Sequence, residues 1–112
     1  MDFDEEDYGL IADDSEGRAA GPYSRVRFLH GATGYGPMNI TIDDMGVQQL
    51  EFGTASRFEN VPDGFAMVTI TSSRMPRIAL CRRNLLFPAG SILTLVIVNS
   101  QSGIDLKIVP EL

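Results

Sequence analysis

Ser91-Ile92-Leu93-Thr94-Leu95-Val96-Ile97-Val98-Asn99 is apolar at odd and even positions alike. A strand of that kind must be covered on both faces, so it belongs in the middle of a layered β-structure. Its apolar run, residues 92–98 broken only by Thr94, is far short of the roughly 20 residues that a bilayer span needs. Working outward, Ser100-Gln101-Ser102-Gly103 reads as a hairpin turn. Beyond it, Ile104, Leu106 and Ile108 alternate with Asp105 and Lys107 until Pro110 stops the strand. On the other side, Phe87-Pro88-Ala89-Gly90 is a turn, residues 77–82 a strand, and residues 73–76 another turn.

The N-terminal half repeats this grammar. Residues 65–72 are rich in β-branched side chains, and Val61-Pro62-Asp63-Gly64 has the composition of a β-turn. Residues 56–60 form a short strand, and Gly53 ends a longer one over 47–52. That longer strand is the hairpin partner of residues 38–43, across the turn Asp43-Asp44-Met45-Gly46, where Gly46 can take positive φ. Residues 31–37 are a loop with three glycines, and residues 23–30 are the first strand, with Val26, Phe28 and His30 on one face. No stretch after Gly21 sustains a helical period. The expected fold is all-β: an antiparallel β-sandwich of seven or eight short strands, Ig-like or transthyretin-like.

Charge divides the chain at the breaker pair Gly21-Pro22. Residues 1–20 carry eight acids and one base, a balance of −7, whereas residues 21–112 carry seven acids and eight bases, a balance of +1. The net charge of −6 is thus a property of an acidic N-terminal arm, residues 1–22, and not of the sandwich domain, residues 23–112. The 92 residues left after the first 20 suffice for a seven-stranded sandwich with a modest core. A near-neutral body and an acidic arm argue against nucleic acid as a partner, because phosphate binding needs clustered Lys and Arg. The acidic start is the opposite of a signal peptide, so synthesis in the cytoplasm without ordinary secretion is expected.

Ser24-Arg25-Val26-Arg27-Phe28-Leu29-His30 followed by Asn39-Ile40-Thr41-Ile42-Asp43 resembles the opening of the bacterial domain-of-unknown-function family 4397. The segment Leu50-Glu51-Phe52-Gly53 with Ser56 and Phe58, and the turns Val61-Pro62-Asp63-Gly64 and Pro88-Ala89-Gly90 leading into Thr94-Leu95-Val96, are similar to later family motifs. The resemblance spans roughly residues 23–109. It implies a β-sandwich, a setting usually at the bacterial cell surface and no known catalytic activity. Asn39 stands where the family has Asp, and Thr33-Gly34-Tyr35-Gly36-Pro37 lacks its Ser-Pro-Asp run.

Chemistry-bearing residues are sparse. His30 is the single histidine; it either hydrogen-bonds loop backbone at one end of the sandwich or acts as a base beside Asp43 or Asp44. One His and one Cys make no zinc set, and Asp43 and Asp44 read as turn residues and not as a calcium cage, so no metal and no cofactor are expected. Cys81, alone in the chain, is a small buried hydrophobe or an intermolecular cross-link. His30, Tyr35 and Asp43 form a candidate ligand loop, with Tyr35 able to stack on sugar. Arg74, Arg77, Arg82 and Arg83 either protect a sheet edge or receive the acidic arm of a neighbour, whose Phe3, Tyr8, Leu10 and Ile11 can add beside the edge.

The function expected is therefore non-enzymatic: a structural or self-assembling module, such as a bacterial surface, spore-coat or filament subunit, with itself as partner in a homo-oligomer. The alternative is a cell-surface binding module for cell-wall carbohydrate or another protein, working through residues 30–37.

Overall fold

The computed structural model describes residues 22–111. They form eight strands: β1 (Tyr23–His30), β2 (Met38–Ile42), β3 (Met45–Leu50), β4 (Glu59–Pro62), β5 (Gly64–Ser72), β6 (Met75–Phe87), β7 (Ile92–Ser100) and β8 (Gly103–Pro110). There is no helix among the described residues. The strands make two four-stranded sheets, ordered β4-β1-β7-β8 and β3-β2-β5-β6. Both contribute inner faces to one core, in a sandwich-like arrangement: Val26, Phe28, Leu95 and Ile97 from the first, Ile40, Val68, Ile70 and Phe87 from the second.

β7 lies inside its sheet, as its sequence requires, with Leu93, Leu95 and Ile97 buried and Ile92, Val96 and Val98 half-buried. The expected all-antiparallel pairing is corrected. β1 and β7 run parallel, from Arg25 opposite Ile92 to His30 opposite Ile97, so the first sheet is mixed. Every other pairing is antiparallel. A parallel pair cannot be closed by a tight hairpin. The chain between β1 and β7 therefore builds the whole second sheet, together with β4, before it returns.

Strand bounds differ from expectation at β3, β4 and β6; β3 runs Met45–Leu50 instead of over residues 47–52, so it ends before Gly53. β6 extends from Met75 to Phe87 instead of covering only residues 77–82. Its register against β5 shifts twice, Cys81 lying opposite Ile70 but Ala79 opposite Thr71 and Met75 opposite Ser72. Extra residues in β6 are absorbed as bulges, a device frequent at edges, and Pro76 is tolerated because an edge strand needs no donor on its open side. β4 begins at Glu59, later than expected, and Val61 is buried in it. The proposed turn at residues 61–64 is a sharper feature, since Asp63 alone separates β4 in one sheet from β5 in the other. Gly64 makes that corner at φ 107°.

The β2–β3 turn is likewise tighter than expected, with Asp43 and Asp44 between paired Ile42 and Met45. Asp43, not Gly46, takes the positive φ, 51°. It is held there by two hydrogen bonds to β5: its backbone N–H donates to the Met67 carbonyl (2.9 Å) and its Oδ1 accepts from the Met67 N–H (3.0 Å). A second irregularity in β3 places Gln49 at φ 56°, where its N–H donates to Asn39 Oδ1 (2.9 Å). The same oxygen accepts from Ser73 Oγ (2.7 Å), so Asn39 ties β3 to the β5–β6 turn.

Leu95 is fully buried on an interior strand. Leu95→Ala is expected to cost about 2–5 kcal/mol in urea unfolding. A loss below about 1 kcal/mol would mean that β7 does not carry the core.

Candidate functional site

Two regions gather the residues that the sequence singles out: the loop after β1 and the edge strand β6. His30 ends β1 on the face shared with Val26 and Phe28, so its imidazole points into the core and is fully buried. Nε2 lies 2.9 Å from the Gly36 carbonyl, and the Ala32 N–H points at Nδ1 from 3.3 Å. These partners assign a neutral ring that donates through Nε2–H and accepts at Nδ1. The Phe52 ring meets the imidazole edge-on, with centroids 5.8 Å apart. His30 thereby pins both ends of the 31–37 loop from below and presents no nitrogen to solvent.

Tyr35 is half-buried against the core. Its carbonyl accepts a hydrogen bond from Ser72 Oγ (2.9 Å). Asp43 is not brought to this loop. It follows the far end of β2, five residues beyond Met38, about 16 Å along a strand at the usual rise. His30, Tyr35 and Asp43 therefore do not converge on one pocket. Among the described residues no three His, Cys, Asp or Glu side chains come together in a way that would hold a metal ion.

The four arginines also separate. Arg83 turns toward the other sheet and pairs with Asp105 of β8, Nη1 to Oδ1 at 2.6 Å. Arg82 stands opposite Thr69, on the outer face of the second sheet. Arg74, in the β5–β6 turn, lays its guanidinium over Gly36 so closely that a Cβ there would stand 2.9 Å from Cζ. Arg77 is exposed where the register of β6 slips. Arg74 shares its end of the sheet with a groove of about 220 Å³ lined by Tyr35, Met75, Ile78 and Leu80. Met75 and Ile78 are half exposed there. Phe3, Tyr8, Leu10 and Ile11 lie outside the described residues.

Sequence reasoning passed over two further features. Phe58 is flanked by Arg25 and Arg27, whose guanidinium carbons lie 5.0 and 4.8 Å from its ring centroid, a double cation–π contact. Phe65, Met67 and Leu86 form an exposed apolar cluster, with Phe65 70% accessible. The signal for that cluster is present, since residues 65–68 are apolar at both parities, but periodicity alone does not say which parity faces out.

Cys81 is half-buried opposite Ile70 and is a free thiol. Burial pushes its pKa above the usual value, the Asp105 carboxylate pushes it further, and the Arg83 guanidinium opposes both. Thiolate, the reactive form, is therefore scarce at neutral pH. Alkylation by iodoacetamide is expected to climb with pH along a profile displaced upward from that of an unperturbed thiol. Asp105→Asn removes a raising charge and frees Arg83, so it moves the rate profile to lower pH. An unchanged or upward-moved profile would contradict this electrostatic assignment.

No protein-family model matches this chain and no curated protein matches it, so the likeness to the domain-of-unknown-function family 4397 rests on the quoted motifs alone.

Proposed function

We propose that this chain is a non-enzymatic structural or self-assembling module whose N-terminal arm contacts a neighbouring subunit at the β6 end of the second sheet. The observation that carries the reading is β6 itself. Among the described residues this 13-residue strand has a neighbour on one side only, and it offers half-exposed Met75 and Ile78 beside Arg74 and Arg77. The arm has the matching chemistry, a balance of −7 with Phe3, Tyr8, Leu10 and Ile11 set among the acids. Apolar side chains suit the groove by Tyr35, the acids suit Arg74 and Arg77, and strand addition satisfies open backbone groups. Arm exchange between like subunits is a head-to-tail contact, which closes into rings or runs on as filaments. An Ig-like or transthyretin-like sandwich serving as a bacterial surface, spore-coat or filament subunit fits this reading and the family resemblance.

The alternative is a surface module that binds cell-wall carbohydrate or another protein. Tyr35 favours it, because its half-buried side chain forms part of the groove wall, where an aromatic face can stack on a sugar. The two readings separate by mutation. Replacing Phe3, Tyr8, Leu10 and Ile11 together by Ser is expected to lower the mass of the full chain in light scattering while leaving glycan binding unaffected. Tyr35→Ala, checked for folding by its thermal melt, is expected to abolish glycan binding if the alternative holds; because Tyr35 also walls the groove proposed for the arm, the arm substitutions are what separate the two readings. If Arg74 and Arg77 hold the arm by charge, the mass also falls as salt approaches physiological strength, where screening acts beyond about 8 Å. An assembly indifferent to the four arm substitutions would sink the arm reading.

A further inference from the structure

Arg74, Arg77, Arg82 and Arg83 are not equivalent receivers of an acidic arm. Arg83 is paired with Asp105, Arg82 stands opposite Thr69, and Arg77 is exposed in the bulged stretch of β6. Arg74 alone of the four lines the groove that Tyr35, Met75, Ile78 and Leu80 also line. Its guanidinium lies against the Gly36 backbone, where a Cβ would stand 2.9 Å from Cζ and 3.1 Å from both Nε and Nη2. Gly36 is fixed in turn, since its carbonyl accepts from the buried His30 ring at 2.9 Å. Among the described residues no carboxylate pairs with Arg74. A guanidinium so placed beside an apolar wall is preorganised for a carboxylate carried next to apolar side chains.

The groove also sets a spacing. Met75 lies opposite Ser72, Ala79 opposite Thr71 and Cys81 opposite Ile70. The wall from Met75 to Leu80 therefore rises only about two residues, roughly 7 Å, above the β5–β6 turn. Two side chains on one face of an extended segment have that separation, and a third on the same face falls past the turn, at Arg74. The matching pattern is an acid and two large apolar residues at alternate positions. Within residues 1–20, which precede the described chain, Glu6, Tyr8 and Leu10 have it. Met1, Phe3 and Glu5 have it in reverse, but Asp2 stands between that apolar pair. Gly9, between Tyr8 and Leu10, lets two backbones approach closely.

Resting on the arm exchange described above, we propose that Arg74 is the residue that selects the arm and sets its register. Glu6 of a neighbouring copy pairs with the Arg74 guanidinium, while Tyr8 and Leu10 of the same arm cover Met75, Ile78 and Leu80. Phe3 and Ile11, at odd positions, fall on the opposite face of the segment and contribute little. The need for an acid also keeps β6 from taking a second β6, because residues 75–87 hold three arginines and no acid.

Sedimentation of the full-length chain tests it. Arg74→Glu, Glu6→Arg, Tyr8→Ser and Leu10→Ser are each expected to weaken association about tenfold or more. Phe3→Ser and Ile11→Ser stay near wild type, and thermal melts check that every variant keeps its fold. The decisive samples are the double variant R74E/E6R and an equimolar mixture of R74E with E6R. In the mixture the unaltered arm of R74E meets the unaltered groove of E6R, and the two altered partners carry opposite charge. Both samples must therefore associate more tightly than either single variant. If the four arm substitutions together lower the mass but neither sample restores it, the Glu6–Arg74 register is overturned while the arm exchange stands. Loss of association on Phe3→Ser but not on Tyr8→Ser overturns it as well. A chain that is monomeric throughout, whose thermal melt R74E lowers and R74E/E6R restores, overturns the contact between copies and assigns the groove to the chain's own arm.

Discussion

The rest of the structure depends on the parallel pairing of β1 with β7. β7 is apolar on both faces and requires neighbours at both edges, and β8 can close only one of them through its hairpin. The other edge is taken by the first strand, running in the same direction. Because that arrangement rules out a short link, β2, β3, β5 and β6 are displaced into a second layer, which covers the inner side chains of β1 and β7. On the outer side, Thr94 is buried by a different device. It hydrogen-bonds Glu111, and Arg27 donates to Thr94 Oγ1 from 3.0 Å while pairing with the same carboxylate.

The two layers are finished differently at their margins. On the β6–β8 side, Arg83 reaches across to Asp105. Both side chains are more than two-fifths exposed, so the pair contributes at most about 1 kcal/mol. Cys81 sits just behind it, kept protonated by burial and by the acid of that same pair. Arg77 and Arg82 are exposed and, among the described residues, make no ion pair.

The loop after β1 shows how a residue with chemical potential can be spent on architecture. His30 is the one histidine of the chain, yet both its nitrogens are engaged by loop backbone and its ring is closed in by Phe52. With His30 committed to holding the loop and Asp43 to holding a turn, exposed apolar side chains among the described residues gather at the groove by Tyr35 and on the outer face at Phe65.

The sequence by itself determined the class, a strand number of seven or eight and most of the strand bounds. β1 is read at its observed ends, and β2, β5, β7 and β8 within one residue at each end, because alternation and turn residues are local properties. It also determined that β7 is interior, since apolar residues of both parities have to be covered. The true length of β6 was not legible, because bulges interrupt the period of two that reveals a strand. Nor was the direction of β1 against β7. Side chains alternate identically whether the neighbouring strand is parallel or antiparallel, so only the tertiary structure could decide it. The same holds for the candidate sites. That His30 and Tyr35 share a loop follows from their spacing, whereas the separation of Asp43 and the scattering of Arg74, Arg77, Arg82 and Arg83 follow from strand order and bulges, which residue spacing does not encode.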